Sequence, residues 1–136
     1  SCVQTLCMFR KDFPDYRRRA IADAVDAGIR FIKKKQRPDG SWYGSWAVCF
    51  TYAAFFAVEA LVNAGVPDSD PVFAKNRAFL LSKQNEDGGW GEDFNSCVTE
   101  MYTPNPDGSQ VVNTAWALMA LMGHGWGNAG AEVADA

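Results

Sequence analysis

A seven-residue pattern occurs twice in the chain and constrains its fold more than any other feature. Residues 36–42 read Gln-Arg-Pro-Asp-Gly-Ser-Trp and residues 84–90 read Gln-Asn-Glu-Asp-Gly-Gly-Trp, so Gln, Asp, Gly and Trp recur at an offset of 48. The same offset relates three further pairs, namely Ile32 and Leu80, Trp46 and Phe94, and Cys49 and Cys97. A period of this size is typical of stacked arrays in which each unit buries its apolar face on its neighbours. We therefore predict repeats near 32–42 and 80–90.

Each repeat is predicted to hold two helices connected by this turn. Apolar residues at helical spacing predict a first, half-polar helix over residues 12–35, with Pro near its first position. A second helix is predicted over residues 47–63, where Glu59 is the only charged residue. A half-polar helix starting at Asp70 and an uncharged helix starting at Ser109 continue the alternation.

The alternation of half-polar and apolar helices predicts two concentric layers. Apolar helices must be surrounded by protein, whereas half-polar helices keep one face in water. We therefore predict an all-α fold, a partial α/α barrel with alternating outer and inner helices. Residues 1–9 read as the end of an apolar helix and residues 132–136 as the start of another, so we expect a piece of a longer chain.

Composition excludes several classes of protein. The 136 residues are 48% hydrophobic and 13% aromatic, which is enough for a buried core and excludes disorder. A net charge of -3 suggests neither a nucleic-acid face nor a polybasic membrane arm. The longest apolar run, residues 46–58, is too short for a membrane span. The four cysteines lie far apart without a Cys-x-x-Cys motif, so we expect a reduced, intracellular compartment with Cys49 and Cys97 as small buried hydrophobes.

The recurring residues of the two turns are predicted to be structural. Each glutamine ends an outer helix, where its amide can bond the last carbonyls and reach the next segment. Each glycine permits a tight turn with positive φ. Each tryptophan fills the gap between helix layers and offers an indole donor. These six residues are Gln36, Gly40, Trp42, Gln84, Gly88 and Trp90.

Three segments resemble the oxidosqualene cyclases, which are the triterpene and sterol cyclases. They are residues 36–52 (QRPDGSWYGSWAVCFTY), residues 84–97 (QNEDGGWGEDFNSC) and residues 112–118 (VNTAWAL). The two turns are similar to the QW motifs of that family. The resemblance implies that residues 1–136 are a fragment of the second, C-terminal α/α-barrel domain of such an enzyme, an (α/α)6 toroid.

The resemblance implies an intramolecular transferase (isomerase) that cyclises 2,3-oxidosqualene to a sterol or triterpene skeleton through a carbocation cascade. No cofactor, metal or nucleic-acid partner is expected. The family's acid is the Asp of an Asp-Cys-Thr-Ala-Glu motif, and this sequence contains no Asp-Cys dipeptide. We therefore expect no catalytic acid in this piece and no activity from it alone. The family also implies a peripheral, monotopic protein of the endoplasmic reticulum or lipid-droplet membrane.

Three aromatic residues are predicted to line the substrate cavity. Trp46 matches the family's cavity-lining tryptophan in Gly-Ser-Trp, and Phe50 and Tyr52 follow it at helical spacing, so one of them is expected to share its face. The other interpretation of Tyr52 is a buried hydroxyl with a hydrogen-bond partner. Ring faces suit a carbocation because they stabilise positive charge without quenching it. Trp116 is predicted to be mainly a packing residue on an inner helix.

The remaining polar candidates receive structural interpretations. Glu92 and Asp93 are adjacent, and adjacent carboxylates rarely converge on one bond, so we expect one of them to cap the segment after the second turn. His124 lies between two glycines at a helix end, where it is predicted to cap or to be solvated.

Two other functions remain open from sequence. The first is a non-catalytic α/α repeat module that binds a protein partner through its concave face. The second is a protein similar to the prenyltransferase β subunit, whose zinc site a single histidine supports poorly. Aromatic side chains directed into an apolar pocket would favour the cyclase, and an exposed aromatic rim would favour the partner-binding module.

Overall fold

A computed structural model of the chain describes residues 2–45 and 48–123. Its helices are α1 (Cys2–Asp12), α2 (Arg18–Lys35), α3 (Phe50–Asn63), α4 (Pro71–Ser82), α5 (Asn95–Thr99) and α6 (Val111–Gly123). Across these two ranges, extended pairing is confined to one isolated bridge between Glu92 and Pro104. The described part of the chain is all-α, as predicted. The predictions for Trp46, His124 and the helix start at 132–136 lie outside the described residues.

The start of α4 agrees with the prediction, and the starts of the two apolar helices differ by a few residues. Asp70 caps α4, because its Oδ1 accepts a hydrogen bond from Val72 N at 3.1 Å, and Pro71 is the first helical residue. By contrast, α3 begins at Phe50 rather than at residue 47, and α6 begins at Val111 rather than at Ser109.

The prediction that α2 starts near Pro14 is wrong. Helix α1 runs on to Asp12, and Phe13 stacks on Phe9 with ring centroids 4.8 Å apart while Tyr16 packs edge-on at 5.7 Å. This ring cluster occupies the connection. Arg17 then adopts a left-handed conformation at φ 43°, and the helix begins immediately after it.

The helices form two layers. Helix α3 packs most extensively on α6 and contacts α1 on its other side, while α2 lies across α1 and α3, and α4 lies across α3 and α6. The outer helix α2 buries only Ile21 and Val25, whereas α3 buries seven of its fourteen residues. The largest fully buried side chains are Trp90, Phe50, Phe73, Leu61, Leu80 and Leu121. The burial of α2 and α3 therefore agrees with the charge pattern, whereas α4 buries five of its twelve residues and α6 four of its thirteen.

One face of α6 is open. Val111 is 87% exposed and Met122 is 68% exposed, and Val112, Leu118 and Met119 are exposed as well. An uncharged helix with this much apolar surface in water is the result expected when an inner helix lacks a neighbour on one side.

The second repeat departs from the first after its tryptophan. Eight positions separate Trp42 from Phe50 at the start of α3, whereas twenty-one separate Trp90 from Val111 at the start of α6. The additional residues contain α5, which the sequence did not predict. Cys97 lies within α5 and Cys49 immediately precedes α3, so the predicted equivalence of the two cysteines is wrong.

The two cysteines are instead bonded to each other. Cys49 and Cys97 form a disulfide with their Cα atoms 5.7 Å apart, which joins the start of α3 to α5. This corrects the expectation that they are separate buried thiols. Cys2 and Cys7 are free thiols.

Candidate functional site

The two turns have the same backbone geometry. In residues 37–41 and in residues 85–89, the N–H of the first residue donates to the carbonyl of the fifth at 2.8 Å. In each turn an aspartate Oδ1, of Asp39 or Asp87, accepts a hydrogen bond at 3.0 Å from the N–H two residues later. The repeat is therefore present in hydrogen bonding as well as in sequence.

The two tryptophans occupy equivalent places between the layers. Trp42 is 4% exposed, and its Nε1 donates to the Ile32 carbonyl at 2.8 Å. Trp90 is 1% exposed, and its Nε1 donates to the Leu80 carbonyl, also at 2.8 Å. Each indole thereby bonds one of the final carbonyls of an outer helix, and the Leu80 carbonyl also accepts a hydrogen bond from Lys83 N at 3.0 Å.

The amide of Gln36 reaches the next segment as expected, but neither glutamine amide bonds the last carbonyls of its own helix. Gln36 Nε2 donates to Gly40 O at 3.1 Å and to Val72 O at 2.8 Å, so it links its own turn to the first turn of α4. Gln84 Nε2 donates to Gly88 O at 2.8 Å. These bonds go to the turn and to the neighbouring outer helix, whereas the indole takes the carbonyl at the end of the preceding outer helix.

The two turn glycines differ in their surroundings. Both have positive φ, 88° at Gly40 and 82° at Gly88. A Cβ at Gly40 would lie 2.2 Å from the Lys75 carbonyl oxygen, whereas a Cβ at Gly88 would meet nothing within 4 Å. Gly40 is therefore required by the close approach of α4 as well as by its conformation.

The structure separates two of the predicted cavity residues. Phe50 is 1% exposed, and its ring packs among Tyr43, Phe79 and Tyr102 with centroids 5.9 to 6.1 Å away, towards the outer helix α4. Tyr52, two residues later, is half-buried on a different side of α3. The third predicted residue, Trp46, lies outside the described residues.

Tyr52 belongs to a group of rings on the inner layer, here called the aromatic face: Tyr52, Phe55, Phe56 and Trp116. Tyr52 lies 4.9 Å from Phe56 and 5.6 Å from Trp116 between ring centroids, and Phe55 lies 4.9 Å from Phe56. Trp116 comes from α6, so the aromatic face spans two inner helices. A Cβ at Gly44 would lie 3.1 Å from the Tyr52 ring, which places the segment before α3 against this face.

A buried carboxylate that the sequence interpretation missed holds the start of α3. Glu92 is 1% exposed, and it accepts hydrogen bonds from the backbone N–H groups of Cys49 at 2.7 Å, Phe50 at 2.9 Å and Thr51 at 3.0 Å. Of the two residues expected to cap the segment after the second turn, Glu92 therefore does not take that local role. The sequence signal for such a distant cap was the start of α3, which has no acidic residue in its first turn and no capping side chain at Cys49.

Asp93 has the local role that was expected of one of this pair. Its Oδ1 accepts a hydrogen bond from Asn95 N at 2.8 Å, at the start of α5. The pKa of Tyr102 is raised mainly by burial of its hydroxyl and further by the negative charge of Glu92. The Tyr102 hydroxyl donates to Gly91 O at 3.0 Å, so it is held as a neutral donor.

A cavity of about 510 Å³ lies between α2 and α3. Its lining is mostly apolar and includes Phe31 and Ile32 of α2 and Ala53 and Phe56 of α3.

Nowhere in residues 2–45 and 48–123 do three His, Cys, Asp or Glu side chains lie close enough together to hold a metal ion. In the same residues, every helix is too short or too polar to cross a bilayer. The described residues therefore offer apolar and aromatic surface.

Comparison with known proteins finds a family model and relatives that match most of the chain. The family model "Squalene-hopene cyclase C-terminal domain" matches residues 7–134. The chain is 50% identical over 121 residues to lanosterol synthase erg7A of Aspergillus fumigatus, covering 88% of this chain and 16% of that protein. It is 46% identical over 124 residues to the lanosterol synthase of Mus musculus, covering 88% and 17%. It is 39% identical over 128 residues to alpha-onocerin synthase LCD of Lycopodium clavatum, covering 92% and 17%.

The chain therefore spans about one sixth of the length of the relatives it matches. The family model covers nearly all of the chain, and the fold in the described ranges is helical throughout. From this match and these identities, we conclude that the chain belongs to the terpene cyclase family, as a segment of the C-terminal domain shared with squalene-hopene cyclases and lanosterol synthases.

Proposed function

We propose that this chain is part of an oxidosqualene cyclase that converts 2,3-oxidosqualene to a sterol or triterpene skeleton by a carbocation cascade. In this proposal, residues 1–136 belong to the second α/α-barrel domain and supply part of the wall of its cavity. The two helix layers support this assignment, because an inner layer packed against an outer layer is the local arrangement of such a barrel. The identity to lanosterol synthases supports the substrate.

The aromatic face is the observation that carries the proposal. Its rings lie on two inner helices and are only partly covered, which leaves ring surface available to a ligand. A ring close to a cation is worth about 0.5 to 2 kcal/mol, with the larger value where water is excluded. Such rings can lower the energy of a carbocation without reacting with it. We propose that Trp46, in the segment leading to α3, contributes to the same wall.

We propose that the epoxide-protonating acid lies in another part of the enzyme and that residues 1–136 alone are inactive. The absence of an Asp-Cys dipeptide from the sequence supports this. We also propose the intracellular, monotopic association with the endoplasmic reticulum or lipid-droplet membrane that the family resemblance implies, with no nucleic-acid partner and no cofactor.

The test is replacement of wall residues in the full-length enzyme. We expect Trp46→Ala and Tyr52→Leu to change the ratio of cyclised products by about 2- to 30-fold, because one ring contact of 0.5 to 2 kcal/mol has that effect on a competing step. Products from 2,3-oxidosqualene are separated by gas chromatography and identified by mass spectrometry. Leu81→Ala, at a side chain that is 39% exposed on the outer helix α4, is the control and should leave the products unchanged.

Each alternative function predicts a different experimental result. Wild-type protein that leaves 2,3-oxidosqualene unconverted would contradict the cyclase assignment. Loss of folding in Trp46→Ala, with unchanged products from Tyr52→Leu, would show that these rings are core residues. Stoichiometric zinc in the purified full-length protein would favour the prenyltransferase-like alternative.

A further inference from the structure

Helix α3 begins without a capping group of its own. The residue before it, Cys49, has helical dihedrals and makes no side-chain hydrogen bond to the helix, and the first turn contains no acidic residue. The first N–H groups of any helix lack partners within the helix. In a buried helix those groups must be satisfied from elsewhere.

Glu92 satisfies these groups from the following repeat. Its Oε1 accepts from Cys49 N at 2.7 Å and Phe50 N at 2.9 Å, and its Oε2 accepts from Thr51 N at 3.0 Å. The carboxylate is therefore bound by three consecutive backbone donors at the positive end of the α3 dipole. Among the residues that the structure describes, the ion pairs are Lys33 with Asp70 and Arg37 with Glu100, so backbone dipoles offset the buried charge of Glu92.

The same carboxylate is connected to α6. The Thr51 hydroxyl lies 3.0 Å from Glu92 Oε2 and 2.7 Å from Asn113 Oδ1, and Asn113 Nδ2 donates in turn to Gln110 Oε1. Asn113 is 2% exposed in the first turn of α6. The starts of the two inner helices and the second turn are thus tied together by one buried polar network.

The elements next to this network carry the aromatic face. Tyr52 lies in the first turn of α3, one residue after Thr51, and Trp116 lies on α6, one turn after Asn113. Gly44, whose N–H donates to Cys49 O at 2.9 Å, leads the preceding segment against the Tyr52 ring. A shift of the start of α3 relative to α6 would therefore move Tyr52 relative to Trp116.

We propose that Glu92 is a positioning residue for the cyclisation cavity: its carboxylate fixes the start of α3 against α6, and thereby the spacing of the Tyr52 and Trp116 rings that face the substrate cation. This inference rests on the proposed function. Glu92 acts through the helix and does not touch substrate. Replacing the carboxylate by an amide of the same shape leaves an NH₂ group facing backbone donors, so at least one bond to the start of α3 is lost.

The experiment compares two helix caps in the full-length enzyme. Glu92→Gln weakens the cap of the inner helix α3, and Asp70→Ala removes the cap of the outer helix α4 as the matched control. We expect Glu92→Gln to raise the ratio of partly to fully cyclised products from 2,3-oxidosqualene about tenfold, equivalent to about 1.4 kcal/mol between competing steps. We expect Asp70→Ala to lower the melting temperature and leave that ratio unchanged.

The outcomes separate this inference from the proposed function. If Glu92→Gln lowers the melting temperature as Asp70→Ala does and leaves the products unchanged, Glu92 is only a helix cap and the inference is wrong. If Glu92→Gln does not fold, Glu92→Asp decides, because it keeps the charge and retracts it by one methylene group. A product shift in Glu92→Asp supports positioning, and unchanged products overturn it. A wild-type enzyme that converts no oxidosqualene would contradict the proposed function itself.

Discussion

Replacement of Trp42 by alanine is expected to destabilise the domain strongly. The side chain is 4% exposed between α2 and the core, and its Nε1 is 2.8 Å from the Ile32 carbonyl. Replacing a buried tryptophan by alanine costs about 3 to 5 kcal/mol, because apolar contacts are lost and a cavity remains. At about 2 to 4 °C per kcal/mol for a domain of ordinary size, the melting temperature should fall by about 6 to 20 °C.

A second substitution separates packing from hydrogen bonding. Trp42→Phe keeps much of the ring volume and leaves the Ile32 carbonyl without its donor, which costs about 1 to 3 kcal/mol for a buried group. The equivalent substitution Trp90→Phe should cost less, since the Leu80 carbonyl keeps a hydrogen bond from Lys83 N at 3.0 Å when the indole is lost.

The assay is thermal unfolding of the full-length enzyme by calorimetry, with all variants scanned at one rate because large proteins often unfold irreversibly. Phe31→Ala removes an exposed ring and is the control. A Trp42→Ala midpoint within about 2 °C of wild type would refute the reasoning, since the loss expected from burial alone is at least three times larger.

Two further predictions concern the disulfide and an ion pair. Removal of the disulfide by Cys49→Ser or by a reductant should lower the free energy of unfolding by up to about 4 kcal/mol. This is the value that the chain-entropy model gives for a separation of 48 residues. Peptide mapping without reduction checks the pairing, and equal melting temperatures with and without reductant would contradict the prediction. A hydrogen bond from Lys33, and then one from Val72 N, lower the pKa of Asp70 below its value in the unfolded chain. The contribution of Asp70 to stability is therefore present above the unfolded pKa of about 3.9 and is lost as pH falls through the lower folded pKa. The difference in unfolding free energy between wild type and Asp70→Asn, measured by urea unfolding, should narrow below about pH 4. A difference that stays constant with pH would contradict this prediction.

Local chemistry made much of the fold predictable from sequence. Asp70 followed by Pro71 marks a helix start whose cap is formed within three residues, and the structure shows that cap. The change from half-polar to apolar helices predicted the two layers, because burial depends mainly on the composition of each helix.

Long-range contacts were not predictable in the same way. Glu92 and the start of α3 are 41 to 43 residues apart, and no local pattern joins a carboxylate to a helix that distant. The pairing of Cys49 with Cys97 depends on the excursion that contains α5, which breaks the repeat after Trp90. The separation of Phe50 from Tyr52, by contrast, follows from helical geometry, because residues two positions apart do not share a face of a helix.

The cap supplied by Glu92 also affects how the chain can be assembled on the ribosome. Helix α3 is synthesised before residue 92 is added, so its first N–H groups lack the Glu92 carboxylate at that stage. We expect this inner helix to remain frayed until the following repeat has emerged and delivered its carboxylate. Two consecutive repeats would then reach their final form in one concerted step.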